Sequence, residues 1–537
     1  MTGRQSRSER ESFYRHNGLW TDQQLGWLAT EGAIRWGDAT FLVLGDRRVS
    51  YREFADLVDG TAAMLIDGGL KPGDRFLLQM TNSVELLVLL FACWRVGATP
   101  VPIVPLFRLH ELRSICAEVQ PAMIAVSHRE DRRSLIAEVD ELVAQSGLNL
   151  AAKLVIGGSA DGWTPFSAED AAGFPTADNL PPPCSAAECC LILYTSGSTA
   201  APKGALLNGR AILSNARNHC TTHSLGQSVV TLAPSPLAHI AALCLGVINP
   251  MLVGGACVMM RSWAPDEAIA LIEREKVTNW GGVFTFLQDL IERYEAGEGG
   301  THRMSNCAVG GANIPFSLIE RSDRIGIHAT NQYGMTEIVG NATLSDPSAS
   351  IDRRANFAGK IMFGTEVEAV DDQRMPLPPG NPGELRIRSP QMMLGYTDPA
   401  VSADLLDADG WFYTGDVGIV DADGWVRITG RIKDIINRGG EKFPAADIEN
   451  ALASHPDIDT AVVVGVPEQR FGEVVGACLR LKAGAAWNGP EDFLAHLEHL
   501  RLSRSKFPVI WRVVDDFPRS PSGKIVKNDL VPLFADG

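Results

Sequence analysis

Apolar positions in the first 180 residues alternate between helical periodicity, as from Tyr51 to Leu65, and short apolar runs such as Arg75-Phe-Leu-Leu-Gln-Met and Ala122-Met-Ile-Ala-Val. Amphipathic helices interleaved with short apolar strands build α/β layers around a parallel or mixed sheet. The segment from Asp161 to Pro183, rich in Pro, Ala and Asp, reads as a surface loop. It leads into Cys189 to Tyr194, whose unbroken apolar character predicts a buried strand. A second α/β stretch runs from Asn208 to about Tyr333, with strands at Val229-Val-Thr-Leu-Ala and Cys257-Val-Met-Met and a helix from Pro265 to Glu275.

From about Phe357 to Thr429 short strands are punctuated by Gly and Pro, as in Pro376-Leu-Pro-Pro-Gly-Asn-Pro-Gly, and a small β-subdomain is expected. After Gly430 the pattern predicts a helix at Ala445–Ser454, strands at Thr460–Val466 and Val474–Leu481, and a helix at Pro490–Arg501. With 537 residues the chain exceeds one core, since cores stop growing near about 250–300 residues. The expected class is α/β: a large N-terminal body, residues 1–430, of two α/β layers plus the β-subdomain, then a smaller α+β domain, residues 431–537.

Composition removes several functions. The chain is 45% hydrophobic and 21% charged, and no apolar run reaches the roughly 18–20 residues of a membrane helix. The polar, basic start Met1-Thr-Gly-Arg-Gln-Ser-Arg lacks the apolar core of a secretory signal, so mature and encoded chains are expected to match and the location to be cytoplasmic. A formal net charge of −16 repels phosphate backbones and argues against nucleic acid as partner. Ten cysteines without C-x-x-C spacing read as reduced thiols rather than disulfides or zinc ligands.

The sharpest chemical string is Tyr194-Thr-Ser-Gly-Ser-Thr-Ala-Ala-Pro-Lys-Gly-Ala, between the buried strand and a helix that Asn208 can cap. Small hydroxylated residues and Gly turn N–H and O–H donors toward phosphate oxygens, and Lys203 adds a point charge. It is not a Walker A loop, because Lys203 precedes Gly204 instead of following a glycine. Taken alone, Tyr333-Gly-Met-Thr-Glu337 would be a strand–turn–helix junction with Thr336 as cap, and Gly415-Asp416 a turn.

In order along the chain, these strings resemble the motifs of the adenylate-forming superfamily of acyl-CoA synthetases, luciferases and nonribosomal adenylation domains. The resemblance makes Thr195, Ser196, Gly197, Ser198, Thr199 and Lys203 the ATP phosphate loop, with Ala200 where the family usually has Gly. It makes Val309-Gly310-Gly311-Ala312 the adenine-edge segment. Within Asn331-Gln-Tyr-Gly-Met-Thr-Glu337 it assigns Asn331, Tyr333 and Gly334 to the nucleotide, Thr336 to the α-phosphate and Glu337 to Mg²⁺. Tyr413-Thr-Gly-Asp416 resembles the ribose motif, Arg431 reaches the ribose, Lys433 is the hinge, and Gly439, Gly440 and Glu441 line the path of the thiol. Pro518-Arg-Ser-Pro-Ser-Gly-Lys524 resembles the segment of the adenylation lysine.

The implied reaction joins a small-molecule carboxylic acid to coenzyme A, using ATP and Mg²⁺, through an acyl-adenylate. Pro236-Leu-Ala-His-Ile resembles the family segment beside the acyl pocket, so His239 is the residue expected near the carboxylate. Phe13-Tyr-Arg-His-Asn-Gly-Leu-Trp-Thr-Asp resembles the N-termini of aryl-acid and cyclohexanecarboxylate activators, which points to a ring-bearing or medium-chain acid. Two alternatives stay open: loading of a carrier-protein phosphopantetheine thiol, and a non-catalytic nucleotide-binding protein of the same fold.

Overall fold

The computed structural model describes residues 6–128, 130, 133–174, 180–195, 202–304, 306–311, 314–438, 441–519 and 525–534. The chain divides into two compact units, residues 1–366 with 388–412, and residues 367–387 with 413–537.

The first unit holds two large sheets. Five parallel strands run in the order Thr99–Ile103, Arg75–Gln79, Met123–Ser127, Ala152–Ile156 and Thr164–Phe166. A seven-stranded sheet runs His328–Asn331, Asn306–Gly310, Asn279–Val283, Val230–Ala233, Ala256–Met259, Thr40–Leu44 and Arg47–Ser50, parallel except for its terminal hairpin. The expected strands at Arg75, Ala122, Val229 and Cys257 all form, because each apolar run is covered on both faces as parallel sheets require. Asp161–Pro183 is not all loop. Trp163 and Phe166 are buried, Thr164–Phe166 adds the last strand beside Ala152–Ile156, and Ala168–Ala172 forms a short helix capped by Ser167. Burial of two aromatics there outweighs a loop-like composition.

The helix Val84–Val96 is apolar apart from Glu85 and Arg95 and almost wholly buried, started by the Ser83 hydroxyl on Leu86 N–H and ended at Gly97, whose φ of 82° a side chain would resist. The helix Tyr51–Asp67 opens with a capping box between Ser50 and Glu53.

Four strands that, apart from the end residues Glu366, Arg388 and Phe412, belong to the second unit follow the order Glu366–Val370, Pro382–Arg388, Phe412–Val420 and Val426–Arg431. A further sheet pairs Ile458–Glu468 with Gly472–Leu481 antiparallel and adds Ile510–Val513 parallel to the latter, with the helices Ala445–Ala453 and Glu491–His499. Ile436, Ile448, Leu452, Val463, Val475 and Phe493 lie in its core.

No helix among the described residues is long and apolar enough to cross a membrane. All ten cysteines are free thiols, and burial raises the pKa of Cys93, Cys190 and Cys307.

Fully buried Tyr51 donates its hydroxyl to the carbonyls of Gly255, at 2.7 Å, and Pro250, at 3.1 Å, tying its helix to the turn before Ala256–Met259. Tyr51→Phe removes the hydroxyl from the Gly255 carbonyl, while Pro250 O keeps the Gly255 N–H at 2.9 Å, and should cost about 1–2 kcal/mol. The check is a lower urea midpoint for the first unfolding transition, with the KM for ATP unchanged.

Candidate active site

The strands Cys189–Thr195 and Lys203–Asn208 form an antiparallel hairpin whose pairing closes at Thr195 and Lys203. Ser196, Gly197, Ser198 and Thr199, which connect them, lie outside the described residues. The closing pair is fastened where the Thr195 hydroxyl donates to the Lys203 carbonyl at 3.5 Å. A Cβ on Gly204 would sit 2.8 Å from Thr397 Oγ1 and 2.9 Å from Tyr194 Cζ, so only glycine admits this packing. Asn208 caps the following helix as expected, its Oδ1 accepting from Ala211 N–H at 2.8 Å.

A third strand, Gly395–Tyr396, pairs with Lys203–Asn208, aligning Tyr396 with Ala205. This pairing brings the Tyr396 ring to Lys203, whose Nζ lies 5.8 Å from the ring centroid. The Tyr396 hydroxyl donates to Glu337 Oε1 at 2.7 Å. Burial, and then the Glu337 charge, push the Tyr396 pKa well up, so the hydroxyl stays a donor at any working pH.

Glu337 itself belongs to a tight hairpin, Gly334 pairing with Asn341 and Met335 with Gly340. A Cβ on Gly334 would fall 1.9 Å from the Gly340 carbonyl oxygen. Thr336–Ile338 is a single 3-10 turn with Met335 at its N-cap position and no side-chain cap, so the reading of Thr336 as a helix cap does not hold. Val339 follows at φ 50°, fully buried, a left-handed conformation that a β-branched residue adopts only under strain.

The rest of this signature is held from behind. Asn331 Oδ1 accepts from Ile314 N–H at 3.0 Å and its Nδ2 donates to the Arg354 carbonyl at 3.0 Å, so the amide is committed to backbone. Tyr333 is buried and its N–H donates to Thr343 Oγ1 at 2.9 Å. Gly310 ends its strand and Gly311 turns the chain at φ 87°; Ala312 lies outside the described residues.

His239 is half-buried just before the π-helical stretch Ala242–Ile248, a rare geometry often found at functional sites. The turn leading to it is pinned by Asn82, whose Nδ2 donates to Ser235 O and Met260 O and whose Oδ1 accepts from Leu237 N–H. Gly281 lets this stretch come close: a Cβ there would lie 2.6 Å from Leu245 Cδ1.

In the second unit Asp416 is 4% exposed and pairs with Arg431, Nε to Oδ1 at 2.8 Å, across two antiparallel strands. The Thr414 hydroxyl donates to Leu385 O at 2.7 Å and accepts from Asp416 N–H at 3.0 Å, while Glu384 accepts from Gly415 N–H at 3.1 Å. Burial raises the Glu384 pKa. Lys433 sits in the 3-10 turn Ile432–Asp434, and Glu441 opens the strand Glu441–Pro444. Gly439, Gly440 and Lys524 lie outside the described residues, but Lys527 bonds Glu449 at 2.8 Å and faces Asp434 at 3.8 Å.

Among the described residues no group of three or more His, Cys, Asp and Glu gathers to cage a metal. A lone carboxylate such as Glu337 fits Mg²⁺ instead, since that ion takes one or two carboxylates and completes its shell with phosphates and water. Tyr396, Asn82 and Glu384 escaped the sequence reading. Gly395-Tyr396 looks like any turn, and only a strand pairing across some 190 positions gives its hydroxyl a target.

The AMP-binding enzyme family matches residues 30–397, and the AMP-binding enzyme C-terminal domain matches residues 447–524. The chain is 31% identical to the medium-chain fatty-acid–CoA ligase of Escherichia coli K12, over 97% of this chain and 92% of that one. It is 32% identical to a salicylyl-CoA synthase / salicylate adenylyltransferase of a Streptomyces species, over 96% and 95%. ATP-bound MatB from Rhodopseudomonas palustris superposes with a TM-score of 0.84 at 26% identity, over 96% of this chain and 99% of that one. By these matches and by its own ordered motifs, the chain belongs to the AMP-binding enzyme family.

Proposed function

We propose that the enzyme activates a ring-bearing or medium-chain carboxylic acid at the site carrying Lys203, Glu337 and His239. The reaction is ATP-dependent acid–CoA ligation through an acyl-adenylate. The observation that carries the site assignment is the convergence of Lys203 and Glu337 on Tyr396, a cation and a carboxylate held beside the 196–201 loop.

In the first step a carboxylate oxygen attacks the α-phosphorus and pyrophosphate leaves. Both reactants are anions, so Lys203, Thr336 and the loop N–H groups supply compensating positive charge or donors. Glu337 would hold Mg²⁺, which would neutralise phosphate charge. Thr195, Ser196, Gly197, Ser198 and Thr199 cradle the phosphates, Gly310, Gly311, Ala312, Asn331, Tyr333 and Gly334 shape the adenine site, and Asp416 with Arg431 receives the ribose. In the second step the coenzyme A thiol attacks the acyl carbonyl, guided by Gly439, Gly440 and Glu441, and AMP leaves.

For the acid, the stretch after His239 is Ile-Ala-Ala-Leu-Cys-Leu-Gly-Val-Ile, with no charge to receive an ammonium group. Most of this stretch is buried apolar core, so an acid bound next to it meets no charge, which suits a ring or alkyl chain. Pyrophosphate release with a panel of acids, with and without coenzyme A, tests this reading: benzoate-like and C6–C10 acids should turn over, and preference for amino acids would overturn it.

Lys524→Ala should abolish adenylate formation yet keep most thioester formation from supplied acyl-adenylate, since its charge is needed only while the α-phosphorus is attacked. Separate assays of the two half-reactions check this; equal losses would make Lys524 structural.

Asp416→Ala removes a buried acceptor whose charge-assisted bonds are worth about 1.5–3 kcal/mol. The KM for ATP should rise about 10-fold or more. Steady-state kinetics at fixed acid measure it, and an unchanged KM would remove Asp416 from the ribose site.

A further inference from the structure

The phenol of Tyr396 is the side chain that touches both charged groups of the proposed phosphate site, and its surroundings fix it firmly. Tyr396 is 5% exposed and its ring belongs to the main core of the first unit. Its backbone is held twice, by pairing with Ala205 and by its N–H on Ser402 Oγ at 2.8 Å. Gly395 beside it, at φ 141°, leaves room for that serine, which a Cβ would approach to 3.1 Å.

The same short segment grips Glu337 at two points. Met393 N–H donates to the Glu337 carbonyl at 2.8 Å, and the Tyr396 hydroxyl donates to Glu337 Oε1 at 2.7 Å. With the backbone and one carboxylate oxygen fixed, rotation of the carboxylate is blocked and its second oxygen has a set direction. The ring offers Lys203 a face, 5.8 Å from Nζ, that attracts the cation without neutralising it as a carboxylate would.

We propose that Tyr396 is a positioning residue for metal-assisted ATP binding: its hydroxyl orients Glu337 toward the divalent cation of MgATP, and its ring keeps Lys203 available to the phosphates. The proposal rests on the reading of Glu337 as the metal-binding carboxylate. Tyr396 has no contact with ATP in this scheme and acts through Glu337.

Calorimetric titration of ATP, with Mg²⁺ and with EDTA, tests it on the whole enzyme without turnover. The variants are Tyr396→Phe, which keeps the ring in the core, Glu337→Gln, and the pair combined. Tyr396→Phe should reduce the Mg²⁺-dependent gain in ATP affinity about 10-fold and change the affinity in EDTA by less than about 2-fold. In the Glu337→Gln background, Tyr396→Phe should have no further effect on that gain, as expected when one residue acts through the other. Equal losses with and without Mg²⁺, or no loss in either, while Glu337→Gln abolishes the gain, would overturn the role of Tyr396. A Glu337→Gln enzyme that retains the full gain would instead overturn the metal role of Glu337 itself, and the proposal with it.

Discussion

The strand Lys203–Asn208 is the joint on which the proposed phosphate site of the first unit depends. On one side it pairs with Cys189–Thr195, closing the hairpin at Thr195 and Lys203; on the other it pairs with Gly395–Tyr396. Both pairings need the backbone at Gly204 to come close to Thr397 and Tyr194, which a side chain would prevent. From that joint the order spreads outward: Tyr396 reaches Glu337, Met393 holds the Glu337 backbone, and the hairpin around Gly334 and Gly340 follows.

The chemistry explains why such rigidity is built there. Joining a carboxylate to a polyphosphate sets anion against anion, and fixed dipoles and cations lower that barrier only if they need not rearrange during the reaction. The structure supplies fixity around the proposed site residues. Asn331 bridges Ile314 and Arg354, Asn82 ties Ser235, Leu237 and Met260, and Thr414 braces Asp416. Val339, two residues from Glu337, adds local strain at φ 50°.

Buried apolar packing carries this arrangement. The helix Val84–Val96 gives almost every side chain to the core, and Tyr51, Phe41, Phe54 and Phe91 form a chain of aromatic contacts with centroids 4.9–5.1 Å apart. The thiols within that packing have their pKa raised by burial and stay protonated and inert, which fits their reading as small core hydrophobes.

Periodicity by itself determined the α/β class and most elements, because an apolar run covered on both faces leaves its mark residue by residue. The Asn208 cap was also legible, since a cap is a contact between near neighbours in sequence. Ordered motifs determined the reaction, as residues that bind one nucleotide keep their chemical types wherever the fold brings them. Three matters waited for tertiary structure. Asp161–Pro183 looked like loop until Trp163 and Phe166 found core to fill. Thr336 looked like a cap until the hairpin showed a single 3-10 turn. Tyr396 carried no signal at all, because its worth comes from a hydroxyl placed on a carboxylate 59 positions away, and no local pattern encodes a contact between distant residues.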